Sequence, residues 1–235
     1  MNIIENIFKS SLGKKYIMAV TGFAMFLFVI GHLAGNLQIF MGPEAINRYG
    51  HFLQSNPELI WPARIGLLVM LVLHIWSATK LSAENRAARP VPYENWQPVG
   101  STYASRTMLM SGIIIFVFII YHLLHFTAQV QYVNLTGKNF VDFMDPAKRH
   151  DIFKMMVVGF NNPFVSGFYL LGMALLALHL SHGVSSMFQS IGWKNKAYGP
   201  VLDKASRWLA VLIFLGYSSI PVAILLGYGK EAMLK

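Results

Sequence analysis

Eight histidines are spread over the 235 residues, and cysteine is absent. Six of the eight lie inside apolar runs: His32 in VIGHLAGN, His74 in VLHIW, His122 and His125 in IIYHLLHF, His179 and His182 in ALHLSHG. His51 and His150 lie in polar connections. An imidazole surrounded by apolar side chains has two uses: it hydrogen-bonds a neighbouring helix, or its bare nitrogen donates to a metal. Without cysteine there are no disulfides, no thiolate-bound iron–sulfur clusters and no haem attached covalently through Cys-x-x-Cys-His. A metal held by this chain would take His, Met or oxygen ligands. The methionines are spread along the apolar runs and read as core fillers.

The elements that must position these histidines are membrane helices. The chain is 55% hydrophobic and 12% charged, against about 25% charged residues in ordinary soluble domains. Its net charge of +9 lies between apolar runs and forms no single basic patch, which excludes nucleic acid as a partner. About 20 mostly apolar residues are needed to cross a hydrocarbon core of about 30 Å. Five segments meet that length: 16–40, 61–81, 107–128, 165–189 and 208–228. The stretches between them hold turn formers, as in GPEAINRYG, SNPE, RPVPYENWQPVG, FMDPAKRHD, NNP and GWKNKAYGP. The expected fold is all-α, one polytopic membrane domain over 1–235 with five transmembrane helices and no internal repeat. The N-terminus shows no short apolar stretch before a small-residue cleavage site, so no removable signal peptide is expected.

Basic residues give a direction. Eleven Lys and Arg fall on the N-terminal side of the spans and eight on the other, which orients the N-terminus to the cytoplasm. His32 and His122 then come about 15 residues after their helices enter from the cytoplasm, near 23 Å up at about 1.5 Å per residue. His74 and His179 enter from the outside and lie roughly 10 Å from the cytoplasmic face. Four helices deliver one histidine each, two at one level and two at another. That is the arrangement required by two bis-histidine haems at two depths, and the haem-binding bundle is then made from the first four helices. Gly35, Ala78 and Gly183 lie on the helical faces of His32, His74 and His179, where a flat macrocycle needs room; close helix packing accounts for small residues equally well. His125 and His182 each lie three residues from a histidine already paired by depth and could take its place, or bond a haem propionate, a quinone or a neighbouring helix.

At these residues the chain resembles the membrane cytochrome b subunit of type B succinate dehydrogenases and fumarate reductases, the five-helix, di-haem family. The resemblance covers nearly the whole chain, from SSLGKKYIMAVTG into GHLAGNLQIF, through NRYGHFLQSNP, VLHIW and IIYHLLHF. It is most specific in FYLLGMALLALHLSHGVSSMFQSIGW, where His179, Ser181 and Gly183 match the His-x-Ser-x-Gly pattern of a haem-binding helix. The resemblance implies His74 and His179 as axial ligands of a proximal b haem, and His32 and His122 as those of a distal one. His125 and His182 fall beside the ligand positions and become neighbours of the haems. The acidic quinone-site and proton-path residues of the family find no clear match, Glu58 being the nearest.

What the resemblance implies of function is a membrane anchor for succinate:quinone oxidoreductase in the tricarboxylic acid cycle. The anchor passes electrons between an iron–sulfur subunit and a membrane quinone, with menaquinone the expected species. FAD and the iron–sulfur clusters would sit on partner chains, a flavoprotein and an iron–sulfur subunit. These would dock on the basic loops 80–106 and 190–207, at the cytoplasmic membrane of a bacterium, in a complex able to form a higher oligomer. Three rivals share features: the di-haem cytochrome of a hydrogenase or formate dehydrogenase, a proton-coupled transporter with membrane histidines, and a haem-free structural anchor.

Overall fold

The computed structural model describes residues 3–89, 91 and 100–234, so most of the stretch 90–99 within the second-to-third connection lies outside the described residues. The described chain is all-helical, with no strand. Five helical segments are long and apolar enough to cross a membrane: Ser11–Met41, Pro57–Ala87, Met108–Thr127, Pro163–Ser190 and Gly199–Leu225. Large apolar side chains along them stay exposed, among them Val20, Leu27, Leu68, Ile113, Val117 and Leu212. Outward-facing apolar side chains on helices whose backbone groups are paired internally suit a hydrocarbon surround, and the fold is compatible with a multi-pass membrane protein.

In chain order the helices are α1 (Ile3–Lys9), α2 (Ser11–Asn36), α3 (Pro43–Gln54), α4 (Pro57–Ala87), α5 (Tyr103–Arg106), α6 (Met108–His122), α7 (Ile152–Phe160), α8 (Pro163–Ser190), α9 (Gly199–Leu225) and α10 (Glu231–Leu234). Three begin at a proline in the first turn, where the missing N–H has no intrahelical acceptor to lose. α2 runs on as a 3₁₀ turn, Leu37–Met41, stopped by Gly42 at φ +96°. α6 runs on as a π turn, Leu123–Thr127.

Several bounds differ from the sequence expectation. α4 extends to Ala87, six residues past the expected end, and α9 starts at Gly199, nine residues before Trp208. Lys204 and Arg207 are exposed on the first turns of α9, so charge there ends the apolar run without ending the helix. Glu58 lies in the first turn of α4, and Glu84 near its end pairs with Lys14 of α2. The connections between the expected spans hold two further helices, α3 and α7. His51 is therefore helical, and α7 buries Phe153, Met155, Met156, Val157, Gly159 and Phe160.

The contacts divide the chain into two compact units, each assembled from three stretches. One comprises 1–28, 64–113 and 178–210; the other comprises 29–63, 114–177 and 211–235. In the second unit the core gathers Ile39, Ile46, Phe118, Phe153, Val157, Phe160, Val165, Tyr169 and Ile224. Two phenols tie α9 and the turn that follows it to α2 and its 3₁₀ extension: Tyr217 donates to the Val29 carbonyl and Tyr228 to the Ile39 carbonyl, both at 2.7 Å.

Candidate functional site

His74 on α4 and His179 on α8 belong to the first unit, with ring centres 6.5 Å apart and ring planes at 59°. Each ring is held by a hydroxyl from a third or fourth helix. Thr21 Oγ1 of α2 lies 3.1 Å from His74 Nδ1, and Ser111 Oγ of α6 lies 3.1 Å from His179 Nδ1. Both hydroxyls already donate to their own helix, Thr21 to the Ile17 carbonyl at 2.7 Å and Ser111 to the Met108 carbonyl at 3.1 Å. With the histidine proton on Nδ1, each hydroxyl accepts it and Nε2 is left with a bare lone pair, the arrangement in which an imidazole binds a metal through Nε2. Gly22 lets α2 approach: a Cβ there would stand 3.3 Å from His74 Cε1.

His32 on α2 and His122 at the end of α6 belong to the second unit, with ring centres 5.8 Å apart and planes at 78°. Phe118, one turn before His122, stacks on its ring with planes at 17°. Phe118 itself lies against Gly172 of α8, where a Cβ would stand 2.5 Å from Cδ2. The Tyr169 hydroxyl of α8 reaches His122 Nδ1 at 3.3 Å.

Imidazole nitrogens bound at about 2.0–2.1 Å on opposite sides of one metal put the two ring centres about 6 Å apart. Both separations have that size. Among the described residues no group of three or more His, Asp or Glu side chains is placed to hold a metal ion, so the histidines converge in twos. Two neutral nitrogen donors per site, on facing helices and without a carboxylate, fit the axial needs of a haem iron, whose other four ligands come from the macrocycle.

The remaining histidines are not members of these two couples. His125 lies in the π turn, fully buried, with Nδ1 3.0 Å from the Tyr169 hydroxyl and Nε2 without a partner. His182 Nε2 lies 2.9 Å from Ser186 Oγ on its own helix. His150 bonds Gln129 at 2.9 Å, and burial holds its pKa below the usual histidine range. Gly35 leaves no room for a macrocycle: a Cβ there would meet the Tyr49 ring at 2.8 Å, so this glycine admits a tyrosine from α3. Gly183 has more space, with only Met108 Cε at 3.9 Å.

Thr21, Ser111 and Tyr169 were not singled out from sequence. Hydroxyls in apolar helices ordinarily bond their own turn, and nothing in their spacing announces a partner 44 to 68 positions away. Comparison of the chain with protein-family models, with characterised proteins and with solved structures found no match.

Proposed function

We propose that the chain is a di-haem b cytochrome of the membrane, with His74 and His179 holding one haem iron and His32 and His122 the other. More particularly, we propose that it is the membrane anchor of a succinate:quinone oxidoreductase. In that role it carries electrons between an iron–sulfur partner and a membrane quinone, menaquinone in this reading.

The observation that carries this reading is the gathering of four histidines into two couples, each spanning two helices, with ring centres 6.5 and 5.8 Å apart. A haem held by these histidines would supply one-electron transfer, with its iron positions filled by imidazole and closed to oxygen or substrate. The chain's own residues do the rest. Thr21 and Ser111, each 3.1 Å from Nδ1 of its histidine, hold the rings of His74 and His179 and leave Nε2 of each to the iron. Phe118 stacks on His122, and Phe126 and Tyr169 stand at its edges, which excludes water from that side of the ring.

The proposed partners are the flavoprotein and iron–sulfur subunits, docked on the basic stretches 80–106 and 190–207, at the cytoplasmic side of a bacterial membrane. Lys194 is already engaged, donating to Asp203 at 2.6 Å and to Ser185 at 2.9 Å. Docking is therefore assigned to Arg86 and Lys196 with fewer internal ties, and charge removal at these two is expected to loosen the partners.

Haem stoichiometry by pyridine haemochrome on the detergent-purified chain tests the reading. Two b haems per chain, falling towards one in His74→Ala and in His122→Ala, is the expected result. No haem in the native chain would reduce it to a structural anchor, and nickel- or molybdenum-containing subunits on co-purification would transfer it to a hydrogenase or formate dehydrogenase.

A further inference from the structure

One side chain stands between two histidines. The Tyr169 hydroxyl, on a residue 6% exposed, lies 3.3 Å from His122 Nδ1 and 3.0 Å from His125 Nδ1. His125 is buried completely, with Phe126 and Phe140 rings 4.0 and 5.6 Å from its own. Its Nε2 has no partner and faces Gly159, where a Cβ would stand only 3.2 Å away. A side chain this polar, this buried and half-satisfied demands a reason. It also sits in a π turn, a helical irregularity that recurs at functional positions.

We propose that Tyr169 is the positioning residue of His122, bridging it to His125 so that the three side chains act as one hydrogen-bonded unit. The inference rests on the reading of His122 as a haem ligand through Nε2. If Nε2 ligates, the proton of His122 is on Nδ1 and donates to the Tyr169 oxygen. The phenol has one proton, which then donates to His125 Nδ1. His125 thereby orients the phenol, and the phenol orients the ligand. Gly159 supplies the space that His125 needs, because any side chain there would press on its ring.

An acceptor on the far nitrogen of a ligating imidazole makes the ligand more basic and favours the ferric iron. Removing that acceptor raises the reduction potential of the one haem it serves. A residue that merely packs would leave the potential where it was.

The experiment is a redox titration and ferric EPR of the full chain with its haems, native and with Tyr169→Phe, His125→Leu and both together. With two haems retained, Tyr169→Phe is expected to raise the potential and shift the low-spin signal of the His32–His122 haem while the other haem keeps both. His125→Leu is expected to shift the same haem less, and the double variant no further than Tyr169→Phe, because both act through one hydroxyl. Two haems with unchanged potentials and signals in Tyr169→Phe would overturn the inference and leave the di-haem reading standing. If that variant fails to fold, an unchanged signal in His125→Leu overturns it equally. A native chain without haem removes the reading itself, and the inference with it.

Discussion

Thr21 Oγ1 on α2 lies 3.1 Å from Nδ1 of His74 on α4 and 2.7 Å from the Ile17 carbonyl of its own helix. The ring is thus held by a helix that is not its own. Replacing the hydroxyl by a methyl, Thr21→Val, keeps the volume and removes the acceptor. The expected outcome is haem retention weakened about 10–100-fold at the His74–His179 couple alone, the usual effect of losing an outer hydrogen bond to a metal-binding histidine. Thr21→Ser retains the acceptor and keeps the haem. Haem loss to a competing apo-globin, followed by absorbance, separates the two variants.

Gly172 governs the other couple through packing. A Cβ there would stand 2.5 Å from Cδ2 of Phe118, and Phe118 stacks on His122. Gly172→Ala therefore drives a ring into a ring, and overpacking of this kind costs about 1–3 kcal/mol. Gly167, on the same helix, has open space in place of its missing side chain. Thermal unfolding in detergent is expected to show a lower Tm for Gly172→Ala and an unchanged or higher one for Gly167→Ala. Equal melting of the two variants would show that α6 yields at Phe118.

The five long helices were legible because hydrocarbon imposes a length and an apolar composition that the sequence displays openly. Their ends were not. The first two turns of α9 carry Lys204 and Arg207, which stay exposed and keep the helix going where hydropathy has already fallen. The turn formers in GPEAINRYG and SNPE hide α3, because Pro43 and Pro57 stand at helix starts, and α7 lies between FMDPAKRHD and NNP on a stretch too short to span a membrane. Counting residues along each span gives depth alone, with His32 and His122 at one level and His74 and His179 at another; that the rings of each couple lie 5.8 and 6.5 Å apart is visible only in the fold. Nothing in that counting reveals which hydroxyl of a neighbouring helix meets Nδ1, since a rotation of one helix by a single residue would substitute another side chain. At Gly35 the sequence leaves space for a macrocycle and close packing equally open, and the Tyr49 ring from α3 decides for packing.

Outside the spans, Arg149 ties the 139–151 connection to α3. It donates to Glu44 through both terminal nitrogens, at 3.1 and 2.6 Å, and to Asp145 through Nε at 2.7 Å. The hydrogen bonds from Arg149 hold Glu44 below the usual carboxylate range. Burial pushes Asp145 up, but the Arg149 side chain, the Arg149 amide and the Ala147 amide together bring it below that range as well. Both carboxylates bind protons less readily folded than unfolded, so their contribution is complete above the ordinary range of about 3.9–4.3 and is lost as pH falls through the lowered folded values. Hydrogen exchange, corrected for its intrinsic rate, is expected to show the Ala147 and Arg149 amides protected at pH 7 and progressively exposed in acid. Arg149→Gln should move that exposure to higher pH; an unmoved profile would detach the ion pairs from the ordering of the connection.

Asn47 completes the same clip from α3, and its removal should be the most costly single change there. The residue is 2% exposed. Its oxygen accepts the Phe153 amide at 2.9 Å, and its nitrogen donates to Asp151 at 3.0 Å, with Asp145 further off at 3.5 Å. Asp151 in turn accepts the Lys154 amide at 3.0 Å and so caps α7. Asn47→Ala leaves the Phe153 amide buried without an acceptor and takes a donor from the capping carboxylate. An unsatisfied buried group costs about 1–3 kcal/mol, and Asn47→Asp costs more than a simple replacement because a third carboxylate would then face Asp145 and Asp151. The expected order of thermal stability in detergent is native, then Asn47→Ala, then Asn47→Asp at neutral pH, with Asn47→Asp recovering towards Asn47→Ala as the added carboxylate is protonated in mild acid. Stability of Asn47→Asp equal to the native chain at pH 7 would mean that water or a rotated side chain serves the Phe153 amide, and that α3 and α7 are joined by their apolar faces alone.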